Sequence, residues 1–223
     1  MSQPELNQVD LELPSAQLVA GVDEVGRGAL FGPVVAAAVI LSPVAQTLLQ
    51  ELGVTDSKQL SAGRRQRLAL QIRTLADACC IGLASAAEID RLNILQASLL
   101  AMRRAVLRLR PSPQLCLIDG NQVIPYLEIA QQPLVQGDQR STAVAAASIV
   151  AKVWRDQLLS RLEAHYPGYD LKTNKGYGTA RHKQAIQQLG LTRYHRRSFS
   201  PCRLVQGSLF ADSELLPESA QEL

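Results

Sequence analysis

Short apolar runs alternate with amphipathic stretches along most of the chain. Val19-Ala-Gly-Val-Asp23 is an apolar run ending in an acid, and Val34 to Leu41 is rich in β-branched residues and alanine. Both read as buried strands. The connection from Glu24 to Pro33 is punctuated by glycine, which predicts a hairpin whose loop presents backbone N–H groups. Ser61 is a suitable N-cap for a helix over 62–77, with Leu68, Ile72 and Leu75 on one face. Cys79 to Ala84 reads as a further strand. Ile89 to Leu109 predicts one long helix with an apolar stripe of Leu92, Leu95, Leu99, Met102 and Val106, stopped by Pro111 and Pro113. Leu115-Cys-Leu-Ile-Asp119 is another apolar run ending in an acid, with Gly120 next. Pro133 to Val135 is expected to lead into a short strand, and Thr142 to Ala164 to form a helix. Pro167 to Thr179 is a Gly- and Tyr-rich loop, and the helix Ala180 to Leu189 is closed by Gly190.

Strands and helices interleave, so the expected class is α/β, with a helical extension from about residue 160. Residues 1–17 and 204–223 are polar and are expected to be flexible flanks of one domain spanning 18–203. Of the 223 residues, 47% are hydrophobic and only 4% aromatic, which supports a buried core and disfavours a β-sandwich. The N-terminus lacks the basic and apolar regions of a signal peptide, and no run is long enough to span a bilayer. The expectation is a cytoplasmic monomer with no membrane partner. Cys79, Cys80, Cys116 and Cys202 form no CxxC, and with three histidines a zinc site is poorly supported.

Net charge is +3, but it is segregated. Residues 151–203 carry eleven bases and three acids, whereas residues 204–223 carry four acids and no base. Such a basic third suggests a polyanion; a solvated helical surface gives the same count.

Asp23 and Asp119 each end an apolar strand, Glu24 adjoins the first, and Asp138 precedes a helix in Gly137-Asp-Gln-Arg140. Ligands of open α/β sheets gather at the carboxyl ends of strands. A single acid there is usually a solvated turn residue. Several held together repel unless a cation neutralises them, and oxygen-only ligands favour Mg²⁺ or Mn²⁺.

Gly26-Arg27-Gly28 lies just after the first acids, where backbone amides and a guanidinium can meet phosphate. It is neither a dinucleotide fingerprint nor a P-loop. Thr55-Asp-Ser-Lys58 is a polar loop with a basic end. Ala145-Ala-Ala-Ser148 and Lys152 share a helical face that is smooth enough for another backbone or for tight sheet packing. In Asn174-Lys-Gly-Tyr-Gly-Thr179, Tyr177 can stack on a sugar or base, or plug the edge of the core.

Val22-Asp-Glu-Val-Gly-Arg-Gly28, Asp56-Ser-Lys58, Leu117-Ile-Asp-Gly120, Ala145 to Lys152 and Asn174 to Thr179 follow one another in an order and spacing that resembles bacterial ribonuclease HII. The likeness runs over roughly 18–200. It implies an RNase H-like fold, a central mixed sheet flanked by helices with a helical C-terminal extension. It also implies an endonuclease that cuts the RNA strand of RNA–DNA hybrids and acts 5′ of single ribonucleotides in duplex DNA, leaving 3′-hydroxyl and 5′-phosphate ends. By the same resemblance Asp23, Glu24, Asp119 and Asp138 are catalytic and hold Mg²⁺ or Mn²⁺ in a two-metal mechanism. Asp156 is the rival for the fourth place. Gly26, Arg27, Gly28, Lys58, Ser148, Lys152 and Tyr177 are the implied substrate contacts, and the basic 151–203 region is expected to hold the duplex.

Gln206-Gly-Ser-Leu-Phe210 in the acidic tail resembles short peptides that dock on the bacterial sliding clamp. Three alternatives compete: the related ribonuclease HIII, a non-catalytic hybrid-binding protein, and an unrelated metal-dependent phosphatase. Only 17 residues precede the region of likeness, all four acids are present, and the basic third suits a polymer.

Overall fold

In the computed structural model, residues 17–55 and 57–204 are described, with the Lys58 side chain left out. Asp56 and the Gln206–Phe210 peptide lie outside the described residues.

Five strands form one mixed sheet: β1 (Val19–Val25), β2 (Val34–Ile40), β3 (Ala78–Ala84), β4 (Leu115–Asp119) and β5 (Ala130–Leu134). Their order is β3-β2-β1-β4-β5. The first three strands pair antiparallel, while β4 runs parallel to β1 and to β5. The predicted 19–41 hairpin is therefore present. The β1–β4 pairing sets Val22 opposite Ile118. One step further in that register, Asp23 stands level with Asp119, on strands about 4.8 Å apart.

Helices cover both faces. On one side α4 (Ile94–Val106) packs on Val22, Ala36 and Ala38. The expected long helix is instead two, α3 (Ala86–Leu92) and α4. Asn93 breaks it with φ 69°, and its side chain accepts from the Gln96 N–H to cap the second. On the other face lie α1 (Pro43–Glu51), α2 (Ala62–Leu75) and α6 (Thr142–Leu162), against Ala37 and Val39. Ser61 caps α2 as predicted; α1 has no counterpart among the predicted elements.

Gly21 explains how closely α6 approaches. A Cβ there would stand 2.1 Å from the Ala143 carbonyl carbon. The alanines of α6 thus rest directly on β1, and the helix leads Ser148 to the rim where β1 ends.

Between β5 and α6 sits the short α5 (Gly137–Arg140), and α7 (Leu171–Asn174) and α8 (Ala180–Leu189) follow. Phe31, fully buried in the β1–β2 connection, packs on Tyr166, Tyr169, Tyr194 and His195. This aromatic cluster ties the C-terminal helices to the hairpin loop. Residues 200–204, where the sequence becomes polar, are still helical, and Cys202 is buried. Among the described residues no helix is long and apolar enough to cross a membrane.

Candidate active site

Side chains alternate along strands, so Asp23 shares the face of Gly21 and points to the α6 side. Asp119 shares the face of Leu117, which packs on Val144 of the same helix. The two acids therefore look the same way from neighbouring strand ends. Asp23 is 6% exposed. Burial pushes its carboxyl well above the ordinary range, with further push from the charges of Glu24 and then Asp119. Glu24 is also raised, first by burial, against the pull of Arg27.

Local donors hold each carboxylate. The Glu24 N–H donates to Asp23 Oδ1 at 2.7 Å. The Arg27 guanidinium reaches Glu24 Oε1 at 3.1 Å. The Gly137 N–H donates to Asp119 Oδ1 at 2.8 Å. That contact anchors α5 beside β4 and brings Asp138, itself buried, to the same rim. The Ser148 hydroxyl lies near Asp23 and partly offsets the rise in its pKa, and its oxygen is 3.0 Å from that of Ser57. Either hydroxyl of that pair can be the donor.

Asp156 is placed differently. It lies about two-thirds of the way along α6, and Lys152 Nζ contacts its two oxygens at 2.5 and 2.7 Å. Lys152 thus has a carboxylate partner on its own helix, and burial lowers its pKa.

All four rim acids offer oxygen, the donor type of hard divalent cations. A cation would relieve the repulsion that raises Asp23 and Glu24, so the donor set fits such an ion. Among the described residues no three His, Cys, Asp or Glu side chains are already drawn together around a common point.

The two glycine loops meet at this rim. Ala29 bridges Tyr177, and the Leu30 N–H donates to the Gly176 carbonyl at 2.8 Å. Gly26 has φ +89°, and a Cβ there would lie 2.2 Å from Arg155 Nε. Gly28 differs: it is exposed, and a Cβ would meet nothing within 4 Å. The fold does not demand a glycine at 28, whereas close approach of a ligand to the backbone would.

Two arginines that the sequence reading counted as duplex-facing are buried here. Arg155 donates to the carbonyls of Pro33, Phe31 and Lys175. Arg196 donates to those of Gly32, Arg27 and Gly26. Both are 0% exposed, so this part of the basic surplus faces inward and fixes the loops. A usable sign exists for Arg155: it lies four residues from both Ala151 and Leu159, on the buried stripe of α6. For Arg196 the sequence offers none.

Tyr177 is half-buried under the Arg155 guanidinium, 5.6 Å from its ring centroid. Its carbonyl ends a chain of imidazoles. The Thr192 N–H donates to His195 Nδ1 at 3.0 Å, so the neutral ring carries its proton on Nε2. That proton points at His182 Nε2, 3.3 Å away, and His182 Nδ1–H donates to the Tyr177 carbonyl at 2.9 Å.

The sequence matches the Ribonuclease HII family profile over residues 20–202. It is 62% identical over 198 residues to a ribonuclease HII of Acaryochloris marina, covering 89% of this chain and 98% of that one. Against the Trichodesmium erythraeum protein of the same name identity is 63% over 193 residues, covering 86% and 90%. The fold superposes on ribonuclease H2 from Pyrococcus horikoshii with TM-score 0.74 and 28% identity, over 86% of this chain and 99% of the other. With Archaeoglobus fulgidus RNase HII, solved in complex with PCNA, the values are 0.70 and 27%, over 82% and 95%. Bst-RNase HIII, solved with Mn²⁺, shares the fold at TM-score 0.67 and 22% identity, over 88% and 74%. Matched along nearly all its described length, the chain belongs to the ribonuclease HII family, endoribonucleases that hydrolyse the RNA strand of RNA–DNA hybrids.

Proposed function

We propose that this enzyme, besides cutting RNA–DNA hybrids, cleaves 5′ of single ribonucleotides embedded in duplex DNA and leaves 3′-hydroxyl and 5′-phosphate ends. One observation carries the reading: the level pair Asp23 and Asp119 opens directly onto a loop, Gly26-Arg27-Gly28, that is bridged to Tyr177 through Ala29. Acids and junction-reading groups thus share one rim.

Asp23, Glu24, Asp119 and Asp138 would hold Mg²⁺ or Mn²⁺, and such an ion would supply charge neutralisation at the scissile phosphate and a more acidic water. Ser148, steadied by Ser57, orients the Asp23 carboxylate. Water attacks phosphorus in line, the bond to the 3′-oxygen breaks, and that oxygen leaves as a hydroxyl. Specificity rests on the 2′-hydroxyl. The backbone of Gly26 and Gly28 reads it, and Arg27, with a side chain 52% exposed, turns from Glu24 to phosphate. Tyr177 stacks on the sugar after the ribonucleotide. Lys58, Ser148 and Lys152 contact phosphates, and Lys152 contributes less than a free lysine because Asp156 shares its charge. Acting as a monomer in the cytoplasm completes this reading.

Three labelled duplexes test it: one with a single ribonucleotide, one all-DNA and one RNA–DNA hybrid, each with Mg²⁺ or Mn²⁺. Cleavage of the first and third at the stated bond is expected. An uncut single-ribonucleotide duplex overturns the proposal.

Clamp binding is a second reading. The Archaeoglobus relative was solved with PCNA, and Gln206–Phe210 resembles a clamp-docking peptide. Equal recovery of the parent and a Leu209→Ala/Phe210→Ala variant on immobilised clamp removes it.

A further inference from the structure

Ser148, Lys152, Asp156 and Ser160 recur every four residues, so they form one stripe along α6. The stripe begins at Ser148, which touches Asp23, and runs away from the acids. At its far half it faces the start of α2 across an open cleft of about 410 Å³. Arg65 and Gln66 line one wall, Gln157, Ser160 and Arg161 the other, and Lys175 closes one end. No role is assigned to any of these six in the reaction above.

The chemistry of the lining is one-sided. Asp156 is its only acid, and Lys152 already pairs with that carboxylate. Among the described residues, no carboxylate pairs with Arg65, Arg161 or Lys175. Two of these cations are held in place by neutral partners. Arg65 donates to the Ser57 carbonyl at 2.8 Å, and Lys175 Nζ to Ser160 Oγ at 2.9 Å. Carbonyl and hydroxyl partners of this kind carry no charge to offset these cations, which both line the cleft. Gln66 and Gln157 add neutral donors. Sites for small molecules are mostly enclosing; this one is open and carries several cations, which suits a polyanion passing through.

At 1.5 Å per residue, Asp156 and Ser160 lie about 12 and 18 Å along the helix from Ser148. A duplex advances about 3.4 Å per step on each strand. The cleft is therefore about four or five steps from the acids for a strand lying along α6.

We propose that the Arg65–Arg161–Lys175 cleft is a phosphodiester-binding subsite that grips one flank of the duplex several nucleotides from the cut. This rests on the substrate reading above. Its ligand is the sugar–phosphate backbone of that same duplex.

The test uses the full chain, an Arg161→Gln/Lys175→Gln variant, and an Arg67→Gln control that removes one charge from the opposite side of α2. Binding of a fluorescent duplex with one central ribonucleotide is measured from low to high salt, with EDTA to block cleavage. Melting curves confirm that the variants fold. The expected result is roughly tenfold weaker binding for the double variant, with its log–log salt slope reduced by about 0.9 per lost phosphate contact. The control keeps the parent slope. Trimming one particular flank to about three pairs weakens the parent and abolishes the difference; trimming the other flank leaves the difference intact. An unchanged slope, or a difference indifferent to both trims, overturns the proposal. If the parent fails to cut the untrimmed duplex with Mn²⁺, the substrate reading falls instead.

Discussion

The Arg196 guanidinium donates to the Gly26 carbonyl at 2.7 Å, across 170 positions of sequence. Its other donors take Arg27 and Gly32, so one buried cation fixes the whole turn after the first two acids. Burial and the nearby Arg155 charge pull its pKa down to about 9, still well above neutrality. Replacing it takes a donor from three carbonyls, of which Gly26 keeps the Ala29 N–H at 3.4 Å; a buried carbonyl left unpaired costs roughly 1–3 kcal/mol. Arg196→Met is therefore expected to lower the urea midpoint markedly. In the folded fraction, single-ribonucleotide cleavage is expected to fall further than thermal loss explains. Activity per folded molecule equal to the parent's contradicts the positioning role.

Gly26 and Gly28 separate fold from function. Gly26→Ala meets the Arg155 side chain and an unfavourable φ, so a loss of roughly 1–3 kcal/mol is expected. Gly28→Ala meets nothing, so stability stays within about 0.5 kcal/mol. Cleavage nonetheless drops at least tenfold, because the new methyl stands where the substrate backbone approaches. Calorimetry and a cleavage assay on the same two preparations check this; full activity of Gly28→Ala refutes the close-approach argument.

Removing a repelling buried charge stabilises. Asp23 is raised by burial and by neighbouring acids. Asp23→Asn is expected to raise Tm in EDTA, each kcal/mol counting for roughly 2–4 °C in a chain of this size, while abolishing cleavage. A lower Tm in EDTA than the parent's shows that the pair is not under electrostatic strain.

Acid acts on the imidazole chain. Burial, and then the neighbouring His182, push His195 down to about 3, and His182 is also lowered. A base with a depressed folded pKa stabilises fully above its unfolded value near 6.5 and loses that contribution as pH falls toward the folded value. A second proton also sets two N–H groups against each other across the His182–His195 contact. The raised Asp23 works in the opposite direction, so the comparison is made in Asp23→Asn. Its urea midpoint is expected to drop steadily from pH 6.5 to 4. A flat profile contradicts the neutral pair.

Legibility in the sequence followed the range of the interaction. Apolar runs ending in Asp23 and Asp119 were visible, because strand burial and the polar rim are both written locally. The register that sets them level is a long-range pairing, and no local pattern encodes it. The break at Asn93 was hidden because the apolar stripe continues in phase through Leu92 and Leu95. The preference for Asp138 over Asp156 rested on helix position alone; the Lys152 partner of Asp156 has no local sequence sign beyond the i,i+4 spacing. Arg155 and Arg196 were misread because charge counting treats every base as solvent-facing. Only a fold that turns backbone carbonyls inward makes a buried arginine favourable.

The central claim is that Asp23 and Asp119, brought together from separate strands, act jointly on the scissile phosphate. Its most direct test is single-turnover cleavage of a duplex with one ribonucleotide by Asp119→Asn in Mg²⁺ and in Mn²⁺. The account predicts that substrate binding is retained while cleavage falls by at least a thousandfold, a loss of about 4 kcal/mol in transition-state stabilisation. Cleavage by Asp119→Asn at the parent rate in either metal would contradict it.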